Sequence, residues 1–200
     1  MSANDPNESP SRRSLWRQPR AWFLVGIPLG GFLMFFAGAA ALGALNATME
    51  WSSTLEFCTS CHEMSDYVFE EYKETVHYQN AAGVRATCGN CHVPKPYFAK
   101  VQRKIGATFK EVPAHLLGTI DTREKFEAKR LELAERVWAT MQATDSRECR
   151  SCHALESMDL DNQDKSARKK HTLERKLEKG ETCIDCHKGI AHHLPETYEG

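Results

Sequence analysis

The chain has 200 residues, a formal net charge of −1 and a mean hydropathy of −0.53. That balance excludes a basic nucleic-acid binder. One long apolar stretch near the N-terminus leaves the other roughly 150 residues too polar for an ordinary aliphatic core, so something else must fill the interior.

Residues 1–20 are rich in Pro, Ser, Asn and Arg, without periodicity, and read as a disordered tail. Residues 21–49 carry no charge, and about 20 such residues span a bilayer. Pro28, Gly30 and Gly31 are tolerable in a membrane helix. Trp16, Trp22 and Trp51 stand near its two ends as interfacial anchors. Arg12, Arg13, Arg17 and Arg20 precede the stretch and Glu50 and Glu56 follow it, which predicts a cytoplasmic N-terminus and an exported remainder. A cleaved signal peptide is the competing reading, with small residues at 37–41 as its cleavage site. The run is longer than a signal core of 7–15 residues, which favours a single-pass anchor in a bacterial inner membrane.

Residues 50–200 form the periplasmic domain. All eight cysteines of the chain lie in four C-x-x-C-H motifs: Cys58-Thr-Ser-Cys61-His62, Cys88-Gly-Asn-Cys91-His92, Cys149-Arg-Ser-Cys152-His153 and Cys183-Ile-Asp-Cys186-His187. Each motif is a c-type haem attachment site, with two thiols for the vinyl groups and an adjacent imidazole for the iron. Disulfides and zinc ribbons also use paired cysteines, but neither explains a histidine after every second one. The sequence thus predicts four covalently bound haems c. Cys58 is followed by His77 and Cys88, and Cys149 by His171 and Cys183, which is an internal repeat. Thr87 and Thr182 precede the second motif of each half. Two di-haem halves follow, about 51–118 and 145–200, joined by a helical bridge over 119–144. In the bridge Phe126, Arg130, Leu133, Val137 and Met141 recur at helical spacing, with Asp121 or Thr122 as the cap. Residues 64–78 and 163–177 also read as helices, and no segment shows strand alternation. The fold class is mostly α: one transmembrane helix and a small helix-and-loop multihaem domain.

Four haems need ligands on their second faces. Beyond His92, His153, His187 and His62, five histidines remain: His77, His115, His171, His192 and His193. The repeat selects His77 and His171. Of the adjacent His192 and His193, one is a ligand. His115 is open. Met64, in Cys61-His62-Glu63-Met64, is either a thioether ligand or a packing residue.

The stretches EFCTSCHEM, VHYQNAAGVRATCGNCHVP, GTIDTREKFEAKRLELAERVW, ECRSCHALESMD and GETCIDCHKGIAHHLP resemble the NapC/NirT family of membrane-anchored multihaem cytochromes c, over nearly the whole chain. The resemblance implies a quinol dehydrogenase that acts as an electron-transfer component. It would oxidise ubiquinol or menaquinol and feed a periplasmic reductase, foremost nitrate reductase through its di-haem subunit. It implies that Met64, not His62, ligates the first iron. It also implies a crossed scheme: His77 to the fourth haem, His192 to the third and, by repeat symmetry, His171 to the second, leaving His115 and His193 without an iron. Twelve and nineteen residues past His92 stand Lys104 and Glu111, the expected quinol-site residues. The family's acid is Asp, so Glu111 departs from the pattern. Haem one, attached nine residues after Met49, would then receive the electrons. Competing readings are a donor to a nitrite, N-oxide or S-oxide reductase, a passive tethered shuttle or assembly protein, and a haem enzyme acting at an open iron. The nearly complete ligand count disfavours the last.

Overall fold

The computed structural model describes residues 23–24, 27–172 and 180–199. The expected tail over 1–20 lies outside them, as does the end of the helix expected to reach 177. Two compact units divide the chain, Met1–Thr48 and Met49–Gly200.

In the first unit, strand β1 (Phe23–Leu24) pairs antiparallel with β2 (Ile27–Pro28), the only strands among the described residues. Helix α1 (Leu29–Trp51) starts directly after Pro28. Proline has no N–H to give, and it biases the residue before it away from helix. The helix therefore begins later than the start of the uncharged stretch and ends two residues past it. Its 23 residues reach about 34 Å, enough for a hydrocarbon layer of roughly 30 Å. Leu33, Met34, Phe35, Phe36 and Leu42 are all exposed on it.

A run of hydroxyl residues ends α1. Ser53 Oγ donates to the Met49 carbonyl (2.8 Å) and Thr54 Oγ1 to that of Trp51 (2.9 Å). Thr54 then caps α2 (Leu55–Cys58), accepting from the Phe57 N–H. A π-helical turn over Met64–Val68 leads into α3 (Phe69–Lys73). Helix thus ends at Lys73, short of the expected 78. The remaining helices are α4 (Cys88–His92), α5 (Tyr97–Leu116), α6 (Arg123–Ala143), α7 (Arg147–Arg150), α8 (Lys165–Lys170) and α9 (Cys183–Cys186), with a 3₁₀ turn at Leu155–Ser157. Helix α6 fills the expected bridge, and Thr122 is its cap, accepting from the Lys125 N–H at 3.3 Å.

Among the described residues the buried apolar side chains are Met49, Tyr67, Tyr72, Phe126 and Ile184. That is a very small core for a unit of this length, as the polar composition requires. Backbone contact substitutes for it in places. A Cβ on Gly89, inside the second motif, would stand 2.8 Å from the Ser53 carbonyl oxygen. The turn leaving α1 is therefore seated directly on α4. Gly89→Ala should force the two apart and destabilise the domain by about 1–3 kcal/mol. A drop in Tm is the expected readout; an unchanged Tm would show that the contact is slack.

Candidate functional site

Two cysteines three residues apart sit on one face of a single helical turn. Each second motif is such a turn closed by a side chain. The Thr87 N–H donates to Asn90 Oδ1 (2.7 Å), and the Thr182 N–H donates to Asp185 Oδ2 (2.6 Å). This is the role of the threonine shared by the two halves: it caps the turn that holds the thiols. The fourth motif is also held from outside. Ser146, fully buried and left-handed (φ 47°), accepts the Ile184 N–H on Oγ at 3.2 Å. None of the eight cysteines is joined in a disulfide. The motifs neighbour one another in chain order: Cys58 lies beside Cys88, α2 packs on α4, and α4 packs on α7.

The histidines meet in pairs. The ring centroids of His77 and His153 are 6.2 Å apart, those of His92 and His192 6.3 Å, and those of His171 and His187 5.8 Å. An imidazole nitrogen lies about 2 Å from a bound transition metal, so two rings on opposite sides of one ion have centroids roughly 6 Å apart. The thiols and the paired rings thus fit covalently attached haem. Ring environments agree. Burial pushes His92 down to about 4, with His192 adding to the effect, and burial also lowers His187 and His192. Neutral imidazole is the form that binds a metal. His171 Nδ1 bonds Gln163 Oε1 at 2.7 Å, which leaves Nε2 for a metal. Buried His77 Nδ1 has no hydrogen-bond partner.

This pairing of rings differs from the crossed scheme that the resemblance implied. His77 faces the third motif rather than the fourth, His192 the second rather than the third, and His171 the fourth rather than the second. The cause for His192 is a buried ion pair. Arg130 donates to Glu71 through both guanidinium nitrogens (2.5 and 2.9 Å) and also holds Glu127. Glu71 accepts the His193 N–H (3.0 Å) while Arg130 donates to the His193 carbonyl (3.2 Å). The C-terminal segment is thereby pinned against α3, and its imidazole reaches α4. For His77, the Tyr72 hydroxyl donates to the carbonyls of His77 (2.9 Å) and Ala86, closing the 77–86 loop.

The first motif is different. His62 and His115 are 6.3 Å apart, so His115, expected to stand clear of the irons, borders the first attachment site. Cys61 Sγ, a Glu63 oxygen and a His115 nitrogen lie within 4.8 Å of one another. His62 Nε2 is engaged by the Asp121 carbonyl at 3.0 Å, and its Nδ1 stands 3.5 Å from Glu63. That carbonyl raises the His62 pKa most, with Glu63 adding to it. Nε2 is thus engaged by a backbone carbonyl, while Met64, two residues on, is half-buried. Glu63 is buried; burial favours its neutral form, but its own backbone N–H and His115 Nδ1 (2.7 Å) outweigh that and hold its pKa low. Glu63 was not singled out in the sequence, where a lone carboxylate carries no signal, and His115 was named there only as an open candidate.

Lys104 and Glu111 lie on one face of α5 with His115, since steps of seven and four residues return to nearly the same side. Lys104 donates to the Ser52 carbonyl, its ammonium 6.0 Å from the Phe57 ring, and burial lowers its pKa. Glu111 is exposed and paired with Arg103 at 2.7 Å. The structure therefore brings Lys104 to the first motif but holds Glu111 through another partner.

Helical turns bearing paired thiols, with histidine rings facing across them, define a multihaem c-type cytochrome, a carrier of electrons. The chain belongs to the NapC/NirT cytochrome c family, whose N-terminal region matches residues 20–197. It is 57% identical to the denitrification system component NirT of Stutzerimonas stutzeri (84% of this chain, 83% of that protein). It is 53% identical to a putative tetraheme cytochrome c of Allochromatium vinosum (82% and 86%), and 50% identical to the cytochrome c-type protein NapC of Paracoccus pantotrophus (90% and 76%). No solved structure matches it.

The Arg130–Glu71 pair gives a direct test. Burial opposes the Glu71 carboxylate, yet the hydrogen bonds from Arg130 and His193 prevail and hold its pKa below the ordinary value. Arg130→Met should cost about 3–5 kcal/mol by leaving a buried charge unpaired, and adding Glu71→Gln should recover most of it. Since the folded pKa is depressed, the carboxylate's contribution is complete above about pH 4.3 and fades as pH falls through the folded value. The unfolding free energies of wild type and Glu71→Gln should therefore converge in acid. A constant difference down to pH 2 would contradict the assignment.

Proposed function

We propose that the protein is a single-pass inner-membrane quinol dehydrogenase with a cytoplasmic N-terminus and a periplasmic domain of four haems c. It takes electrons from ubiquinol or menaquinol and passes them to a periplasmic reductase. Nitrate reductase, through its di-haem subunit, is the leading partner; a relative described as a denitrification system component keeps another periplasmic reductase, such as one for nitrite, as the second reading. The observation that carries the proposal is the seating of Lys104 on the Ser52 carbonyl, beside Phe57 and Cys58, within ten residues of the end of the apolar stretch. A quinol head group leaving the bilayer meets the first motif there.

The attached haems, when present, accept electrons one at a time, whereas quinol yields two electrons and two protons. The chain's own residues must therefore manage the protons. The Lys104 ammonium, held in place by a backbone carbonyl, stabilises negative charge on a quinol oxygen as its proton leaves. Glu111, exposed on the same helix face, accepts a proton and is open to water. Met64 and the three ring pairs His92–His192, His153–His77 and His187–His171 are the proposed axial ligands. The bond of His62 Nε2 to the Asp121 carbonyl supports Met64 over His62, and His115 borders the site through Glu63.

Lys104→Ala should slow reduction by quinol by roughly 10² to 10³, about 2.7–4 kcal/mol, and leave dithionite reduction and the haem spectra intact. Wild-type quinol rates in Lys104→Ala and Glu111→Gln together would move the pocket elsewhere. Replacing His77, His171 or His192 by Ala should make one haem high-spin in each case, while His115→Ala and His193→Ala should not. A high-spin signal in His115→Ala would reassign the first haem's ligands. Mixing the quinol-reduced protein with purified periplasmic nitrate and nitrite reductases, and timing haem reoxidation, identifies the partner.

A further inference from the structure

Helix α5 turns one side to the domain and leaves another open. Ala99, Lys100, Arg103, Lys104, Ala107 and Ala114 are half-buried. On the other side Phe98, Ile105, Phe109, Val112 and Leu116 are 86%, 54%, 76%, 51% and 77% exposed. Their spacing of seven, four, three and four residues makes one continuous stripe. At about 100° per residue the stripe lies roughly 110° around the helix from the Lys104–Glu111–His115 line that borders the first motif. It therefore does not face that attachment site. Five large apolar side chains in an exposed row mark a contact surface.

The occupant is set by what α5 is tied to. Lys100 Nζ pairs with Glu50 Oε1 at 2.7 Å, and Lys104 donates to the Ser52 carbonyl. Residues 50 and 52 follow the apolar stretch by no more than three positions, so this part of α5 is held where the chain leaves the bilayer. Lys95, just before the helix, and Lys110, on it, are exposed. A helix with an aromatic and aliphatic face, low net hydrophobicity and basic flanks is the pattern of helices that lie in the membrane interface, where Lys and Arg attract anionic headgroups.

We propose that α5 lies in the interface of the phospholipid bilayer, its stripe of Phe98, Ile105, Phe109, Val112 and Leu116 immersed at the headgroup–acyl boundary. This deepens the quinol reading, on which its functional meaning rests: α5 presents Lys104 and Glu111 at the depth where a quinol head group arrives, without the quinol having to leave lipid entirely. The contact itself requires only that α1 is the span.

The test uses the full-length haem-loaded wild type in nanodiscs of phosphatidylethanolamine and phosphatidylglycerol, doped with a phospholipid carrying a diazirine in its acyl chain. Quinol and reductase are omitted, so failure of the quinol reading cannot affect the result. After irradiation, labelled peptides are mapped by mass spectrometry. Lipid adducts on α1 and on 98–116, with little on the exposed Arg136 face of α6, are expected. Phe98→Ser combined with Phe109→Ser should lose the α5 adducts, retain those on α1 and keep the wild-type haem absorbance. Label on α1 but not on α5, or equal label on α5 and α6, overturns the proposal alone. No label on α1 overturns the span reading and this proposal with it.

Discussion

A single helical turn bearing two thiols is the constraint from which the rest of this molecule follows. Five buried apolar side chains cannot hold a domain of this length against chain entropy. Covalent attachment at the four motifs would, because each haem c brings a large apolar body that cannot diffuse away. The protein therefore invests its local structure in the turns. Asn90 and Asp185 close two of them, Ser146 braces the fourth, and Gly89 lets Ser53 approach the second. Each device fixes backbone within one or two residues of a cysteine.

The second organising element is the Arg130–Glu71 pair. It joins the bridge helix to α3 and grips the backbone on both sides of residue 193. A buried ion pair is weak evidence for stability but can impose register. Here the register matters chemically, since moving the C-terminal segment by one residue would present His193 in place of His192. The two adjacent histidines are distinguished by which one's backbone the pair holds, not by anything in their own side chains.

The attachment sites, the helical character, the bridge and its Thr122 cap were all legible in the sequence, because each rests on residues close together in the chain. The facing of the histidines was not. Spacing identified His77 and His171 as equivalents, yet one faces a motif in the other half and the other a motif in its own. That choice depends on Tyr72 closing one loop and on Gln163 turning one ring, contacts that no periodicity encodes. The contact between Glu63 and His115 was hidden for a related reason. Their pairing spans 52 residues, and neither belongs to a repeat.

Neighbouring motifs also constrain the direction of electron flow. Cys58 touches Cys88, α4 packs on α7, and the fourth turn is bonded to Ser146 at the start of α7. Electron transfer between haems weakens steeply with separation, so motifs in contact along the chain form a relay in sequence order. Electrons entering beside Lys104 at the first motif would leave from the far end, near His171 and His187. The entry is crowded by α2, α4, α5 and the turn that follows α1, which leaves little room for a large reductase there. The fourth motif sits by the C-terminal segment, where Ile190 and Leu194 are exposed. On the proposed reading, the same packing that lets a thin polar chain hold its cofactors would separate a lipid-facing entry from a water-facing exit.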